Sequence, residues 1–474
     1  MIHLKEAIRP IGNRVWVKDR VNKPEPNSRG RSRRRLAARL GLWLGATGIA
    51  VVALIFGFGG QILNGVVKGK VEQAFAKAHP GSALRLGHLR YLVGDNILSA
   101  QSVALNSTHL TFKTGQISLT GVRWVRLLWG RRDWARVLAF ASLDATNLDA
   151  AFPQALYGLR CARLRASVPD SKLLLLGTDL RPLVEDEAFF AAHTFRTTRF
   201  RLAVPEFEVL GLAYGELLQG KSYRAGSIRL SGASFDALVS RDKPVRSSPK
   251  SPLMLQEALA AIRQPLRVDN ISITKADLRY GERVRAGAAP GVLTFGNADF
   301  YVSDLANRRD DSKDIRIEAQ TQFMNAAALR VQMTIPAGSP EVSFHYAGSL
   351  SAMDLTRLNP FLETVEHFRI VSGSVQDVLF AIDVAAGEAR GQVRARYQDL
   401  KIAVLDKQTG SETGIDNRVV SFLMNALKIR NANPAAESGS MKDGKVVYTR
   451  KPQDNFLQFM WFALRSGILD VISL

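Results

Sequence analysis

Residues 215–222 read GELLQGKS, which fits the phosphate-loop spacing G-x-x-x-x-G-K-[ST]. Further on, the apolar run VLFAID ends at Asp383 and imitates a strand that presents a magnesium-binding acid. A phosphate loop must open a helix, so that free amide hydrogens and the helix dipole face the anion. Here Ser222 is followed by YRAGSIRLSGASFDALV, which alternates as a strand, and Glu216 would place negative charge beside the phosphates. The spacing therefore reads as a β-turn carrying Gly220. The other chemistry-bearing residues are no better arranged. His3, His79, His88, His109, His193, His345 and His367 never fall at metal-ligand spacing, and neither H-E-x-x-H nor the G-x-S-x-G elbow occurs. Cys161 is the single cysteine, which excludes an intramolecular disulfide and reads as a small core hydrophobe. Asp310 and Asp311 read as a solvated loop pair. No catalytic residue, cofactor or metal ligand is expected, and the chain is read as a non-enzyme.

The informative pattern is apolar. In 267–283, RVDNISITKADLRYGER, Ile271 and Ile273 alternate, two polar residues intervene, and Ala276, Leu278 and Tyr280 resume. The same rhythm recurs at Val103, Leu105, Thr108, Leu110 and Phe112, and at Ile228, Leu230, Ala233, Phe235 and Ala237. A weaker copy runs Ala141, Leu143, Thr146, Leu148, Ala150. Alternation with period two puts one apolar face on a strand. A skipped beat is the signature of a bulge that returns the second half to the same face. Several copies imply one supersecondary unit laid down repeatedly.

Charge sets the surroundings of these strands. The chain of 474 residues carries a formal net charge of +21, which calls for an anionic partner or surface. Residues 1–39 hold twelve Lys and Arg against Glu6, Asp19 and Glu25, and no charged residue occurs between Arg39 and Lys68. That run exceeds the ~20 residues a helix needs to cross a bilayer. Arginines before it give an N-in, C-out topology, with Trp43 at headgroup level. Ala76–Lys77–Ala78 mimics a cleavage site and Ser32–Arg33–Arg34 a twin-arginine signal, but the apolar run is too long for a signal peptide. Beside a span, the arginine run orients the chain and is not read as binding nucleic acid. The glycines of GFGG, 57–60, lie inside the span and suit close helix packing.

Beyond the anchor, KVEQAFAKA continues as a helix stopped at Pro80–Gly81, and short strands dominate to about residue 240. Residues 121–140, GVRWVRLLWGRRDWARVLAF, have helical spacing with interleaved arginines. They read either as a helix on the membrane surface or as one closing an end of a sheet. SRDKPVRSSPKSP, 240–252, is a linker, and a short helix follows up to Pro265. Strands resume from 266 to about 450, with a helix around Pro360, and an apolar terminal helix ends the chain. Arg465 and Asp470 argue against a second span. Few helices between closely spaced strands exclude a doubly wound α/β fold.

These features together resemble the AsmA-like superfamily of inner-membrane-anchored periplasmic proteins. The carriers are the anchor followed by KVEQAF, the stretch ISLTGVRWVRLLWGR, and the repeated step at 271–280. Residues 343–406 match best, with Gly348, Gly373 and Gly391 at turns and Asn359–Pro360 in a short helix. The resemblance implies a mainly β fold, in which a single transmembrane helix precedes a long, curved, mostly antiparallel sheet with a few short helices and an apolar concave groove. The expected organisation is a basic cytoplasmic segment (1–39), an anchor (40–67), an N-terminal β region (68–240), linker and helix (241–265), a C-terminal β region (266–450) and an amphipathic helix (451–474). The implied partners are the inner membrane and a phospholipid or other envelope lipid. Val103, Leu105, Leu110, Phe112, Ile228, Leu230, Phe235, Ile271, Ile273, Leu278 and Tyr280 are the expected acyl-chain contacts. The alternative is an envelope scaffold with a closed β core that recruits other envelope proteins.

Overall fold

The computed structural model describes residues 64–65, 68–92, 94–123, 134–245, 251–308, 313–337, 342–405, 429–435 and 439–473. All of them belong to one unit, Leu54–Leu474. The expected anchor at 40–67 lies outside the described residues, apart from Asn64 and Gly65, as does the basic segment before it. Among the described residues no helix is long and apolar enough to cross a membrane.

After helix α1 (Lys68–Ala78) come β1 (Ser82–Arg85), β2 (Leu89–Leu92), β3 (Ile97–Ser107), β4 (Thr111–Thr120), α2 (Trp134–Val137), β5 (Ser142–Phe152), β6 (Tyr157–Ser167) and β7 (Lys172–Pro182). Then follow α3 (Asp186–Ala191), β8 (Thr198–Leu210), α4 (Tyr214–Leu218), β9 (Tyr223–Ser231), β10 (Ser234–Ser240), α5 (Leu255–Ala260), β11 (Leu266–Arg283) and β12 (Gly291–Ala306). The last part holds β13 (Ile315–Phe323), β14 (Ala327–Ile335), β15 (Phe344–Leu350), β16 (Met353–Asp354), a 3-10 turn (Leu355–Leu358), α6 (Asn359–Val365), β17 (Phe368–Ala385), β18 (Glu388–Val404), β19 (Asp443–Thr449) and α7 (Phe456–Ile472).

The nineteen strands of the described residues form a single sheet. From β3 to β8 each strand pairs antiparallel with the next, and the same holds from β11 to β15 and from β17 to β19. Three places in the sheet are shared by two short strands. β1 and β2 both pair with β3, β9 and β10 lie end to end between β8 and β11, and β15 and β16 lie along β17. Among the described residues the only parallel pairings are those of β11 with β9 and β10. A parallel pair needs a crossover, and the Pro- and Ser-rich linker 241–265 supplies it, with α5 inside.

Helices close both ends of this sheet. At the N-terminal edge the Glu72 carboxylate accepts from the Leu86 amide at 2.7 Å, and the Asn64 side chain bonds both backbone groups of Leu89 at 2.8 and 2.9 Å. At the other edge Asp470 accepts from the amide of Lys445 at 2.7 Å and Ser466 from that of Val447 at 3.3 Å. Side chains of flanking helices thus take the hydrogen bonds a further strand would make. The main core lies under α7, where Phe459, Ala463 and Val471 are fully buried against Tyr346, Ile382, Val393 and Val446. The Tyr346 hydroxyl donates to the Met460 carbonyl at 3.0 Å, and burial raises its pKa.

The approach of α7 to β19 depends on two glycines. A Cβ on Gly444 would stand 2.1 Å from the Gly467 carbonyl oxygen, a contact with backbone that no rotamer can relieve. Gly444→Ala is expected to lower stability by roughly 2–3 kcal/mol through forced overpacking, read as a lower melting temperature. Gly69, in α1, has nothing within 4 Å of an added Cβ, so Gly69→Ala is expected to hold or slightly raise stability.

Candidate functional site

The skipped beats line up across the sheet. Ser102, Asn147, Gly177, Gly232, Lys275 and Asn297 have φ of +54°, +51°, +60°, +66°, +53° and +52°, in β3, β5, β7, the β9–β10 junction, β11 and β12. The intervening strands β4, β6 and β8 place Gly115, Ala162 and Pro205 opposite them, in unbroken register. Small residues or proline are needed there because the left-handed turns crowd their neighbours. A Cβ on Gly177 would meet the Ala162 Cβ at 3.1 Å, and one on Gly115 the Asn147 Nδ2 at 3.2 Å. Proline fits at a point where the ladder is interrupted, since it has no amide hydrogen to lose. Carboxylates satisfy two of the freed amides: Asp299 accepts from Lys275 and Asp277 from Asn297, at 2.9 and 3.0 Å.

Each kink returns the strand to its former face, so one ladder of side chains runs beside the line. Val103 pairs with Thr114, Leu148 with Cys161, Cys161 with Thr178, Thr178 with Val204, and Ala276 with Ala298. Ala233 continues the row between Val204 and Ala276. Directly paired residues share a face. Val204, Ala233, Ala276 and Ala298 are 0–7% exposed. They are flanked by Phe207, Leu230, Ile273 and Phe300 on one side and by Leu202 and Leu278 on the other. Similar walls run back along Leu164 and Leu175, and along Leu159 and Leu180, as far as β4. Most of these wall residues are half-buried, while Ala145, Val209 and Ala237 are buried. The ladder and walls of β4–β12 are uncharged except at the α6-covered end of β11, where Glu282 follows Tyr280 on the same face and pairs with Arg241; Thr114, Tyr157, Cys161, Thr178 and Thr198 are among their polar members.

The opposite face is built from charge. Arg163 grips Asp144 at 2.9 and 2.5 Å, Arg165 reaches the same carboxylate at 3.1 Å, Arg160 pairs with Asp149 at 3.2 Å, and Lys172 with Glu208 at 2.6 Å. The Arg163 guanidinium holds the Asp144 carboxyl below its usual range. One face is therefore solvated and ion-paired while the other is apolar and, among the described residues, half-buried over a buried ladder.

The expected contact residues fall into groups. Phe112, Ile228, Leu230, Phe235, Ile271, Ile273 and Leu278 stand together on the apolar face, half-buried. Val103 and Leu105 share that face but are fully buried at the N-terminal end, where Leu105 pairs with Leu84. Leu110 is off the strands: it closes the β3–β4 hairpin, its carbonyl accepting from the Ser107 amide at 2.8 Å. The skip at Thr108 is therefore a turn, and the bulge of β3 is at Ser102. In β5 the kink is at Asn147, so Ala145 and Leu148 face the ladder and Thr146 does not. Tyr280 lies where α6 covers the end of β11, its ring 6.4 Å from Phe361 and its hydroxyl bonded to Glu282. At the opposite end α5 buries Met254 and Leu259 in the core that includes Leu266, Val302 and Leu305.

The phosphate-loop spacing resolves as a helix before the loop and a strand after it. Gly220 has φ +66°, the Ser222 hydroxyl is bonded to Glu216, and β9 begins at Tyr223. Cys161 is buried in the ladder with its Sγ 3.2 Å from the Arg163 carbonyl oxygen. Of the amphipathic stretch 121–140, residues 124–133 lie outside the described residues, and Trp134–Val137 is helical. Sequence reasoning passed over the leucines of β6 and β7 and the small-residue ladder. The run KLLLLGTDL, with Gly177 between two alternating halves, carried that signal.

A scan against protein-family models finds no match for this chain, and a comparison with curated proteins finds none either. The candidate site thus stands on its geometry. If the kinks are what hold the face together, position 275 is the sensitive point, because a lysine occupies a conformation that costs an L-residue about 1–2 kcal/mol. Lys275→Gly is expected to raise stability by up to about 1 kcal/mol, and Lys275→Val to lower it by at least that much. Urea unfolding with an unchanged m-value would measure both.

Proposed function

We propose that this chain is a membrane-anchored periplasmic protein, AsmA-like in kind, that shelters lipid acyl chains along the apolar face and assists envelope lipid transport or outer-membrane homeostasis. The observation that carries the reading is the half-buried apolar face of β4–β12, uncharged except for Glu282 at its α6-covered end, with its small-residue ladder. An acyl chain needs a continuous hydrocarbon surface and no hydrogen bonds, and it gains about 25 cal/mol for each Å² removed from water. Bulges bend strands, so a line of them across nine rungs supports a sheet curved into a groove, the ladder as its floor and the larger residues as its walls. Counted as sixteen rungs, the sheet extends ~70 Å at the usual strand spacing. The basic segment and uncharged run at 1–67 support the membrane anchor and the orientation.

The second reading, an envelope scaffold, has one observation in its favour. Leu457 and Trp461, one turn apart on α7, are 72% and 50% exposed, and a helix apolar on both sides suits a partner on its outer face. The two readings separate on the apolar face. Leu278→Asp puts a carboxylate on a half-buried wall that can hydrate, so the melting temperature is expected to fall by only a few degrees while co-purified phospholipid, measured by mass spectrometry of the intact chain, drops severalfold. Ala276→Asp buries the charge in the ladder and is expected to unfold the protein. A folded Leu278→Asp variant with lipid content unchanged favours the scaffold.

A further inference from the structure

The polar face holds a feature that the acyl-chain reading leaves unused. Near the α3 ends of β8, β10 and β11, a cleft of about 280 Å³ is lined by four arginines and three acids. Arg201, Asp236 and Arg279 share one rung, and Arg199, Leu238 and Gly281 the rung two residues on. Most of this charge is already matched. Asp186 receives Arg199 at 3.0 Å and Arg201 at 2.9 Å, and Asp236 receives Arg199 at 2.6 Å. Glu187 is paired with Nη1 of Arg283.

Two cationic groups are left over. Arg279 is exposed and has no hydrogen bond or ion pair among the described residues. Arg283 is the more telling, because its side chain is 4% exposed and its Nη2 has no acceptor among the described residues. Its guanidinium is nonetheless held in place, with Nε donating to the Ser240 Oγ at 3.0 Å and the Phe190 ring 4.4 Å from its Cζ. A fixed, desolvated donor without an acceptor is an incomplete arrangement. Gly281 lies between the two arginines on the same face. An added Cβ there would come 3.1 Å from Leu238 Cδ1 and 3.6 Å from Pro290 Cβ, so the absence of a side chain keeps the floor of the cleft clear.

We propose that this cleft binds a phosphate group, with Arg283 Nη2 and Arg279 donating from either side of Gly281. Two guanidinium donors call for an anion with several acceptor oxygens, and a phosphate monoester offers three of them and more charge than a carboxylate. Glu187 opposes the anion, but it is neutralised by Arg283 and its side chain is 58% exposed to solvent. The site is on the face opposite the ladder, and it stands whether or not acyl chains bind there. The shared chemistry is a phosphate monoester or free orthophosphate.

The test uses the full chain in neutral detergent, titrated with orthophosphate and, separately, with micelles doped with phosphatidic acid, following the melting temperature and the binding heat. Wild type is expected to be stabilised by at least one of the two, and which one responds tells a free anion from a lipid headgroup. Arg279→Gln, at an exposed position, is expected to melt like wild type without ligand and to bind at least tenfold more weakly. Arg283→Gln is expected to lose the response, while the exposed Lys401→Gln keeps it, which separates the cleft from general attraction to a basic chain. No stabilisation of wild type by either ligand, or equal responses in wild type and Arg279→Gln, overturns the proposal.

Discussion

Side-chain alternation in a strand has a period of two, and a strand that is kinked in its middle must compensate for the residue it spends there. In this sheet the compensation is collective. From β3 to the β11 junction the left-handed residues and their small partners stand on one line with the register intact on both sides. A single strand without its kink would turn half of its leucines to the charged face and bring arginines onto the apolar one. The kink line is therefore the constraint from which the ladder, the walls and the ion-paired outer face all follow. Where the line ends, at β12 and β13, the pairing shifts by one residue between Gly296 and Asp299, and beyond it the sheet is covered by α7.

The ends of the sheet follow a different logic from its middle. At each edge a helix supplies both apolar cover and side-chain acceptors for the outermost amides, so that strand addition finds no free donors at Leu86, Leu89, Lys445 or Val447. The glycine pair of α7 and β19 brings helix and strand closer than any side chain permits. The result is a sheet finished along its edges and under its terminal helix, but left half-buried across β4–β12.

The sequence rhythm was legible in part, and the reasons differ by residue. At 271–280 and 228–237 the skip falls on a real kink, because the flanking residues are large enough to make the alternation visible. At 103–112 the same spacing spans a hairpin, since a two-beat gap in hydrophobicity looks alike whether the chain bulges or reverses. In β6 and β7 nothing was visible: Leu173 to Leu176 are apolar on both faces, and Cys161 and Thr178 are too small to register in a periodicity. The parallel placement of β11 was also hidden. It depends on where the linker 241–265 leads, and a polar linker does not record its destination. The Arg283 cleft joins β8, β10, β11 and α3, far apart in the chain, and only the folded sheet brings its charges together.

The central claim, that hydrocarbon lies along one face of β4–β12, is tested most directly by photo-crosslinking from two neighbouring residues of β9. Leu230 stands on the apolar wall and Arg229 on the charged face. A benzoylphenylalanine introduced at position 230 of the full chain in its native membrane is expected to capture phospholipid, and the same probe at 229 to capture none. Lipid adducts at neither position, or in equal yield at both, would contradict the account.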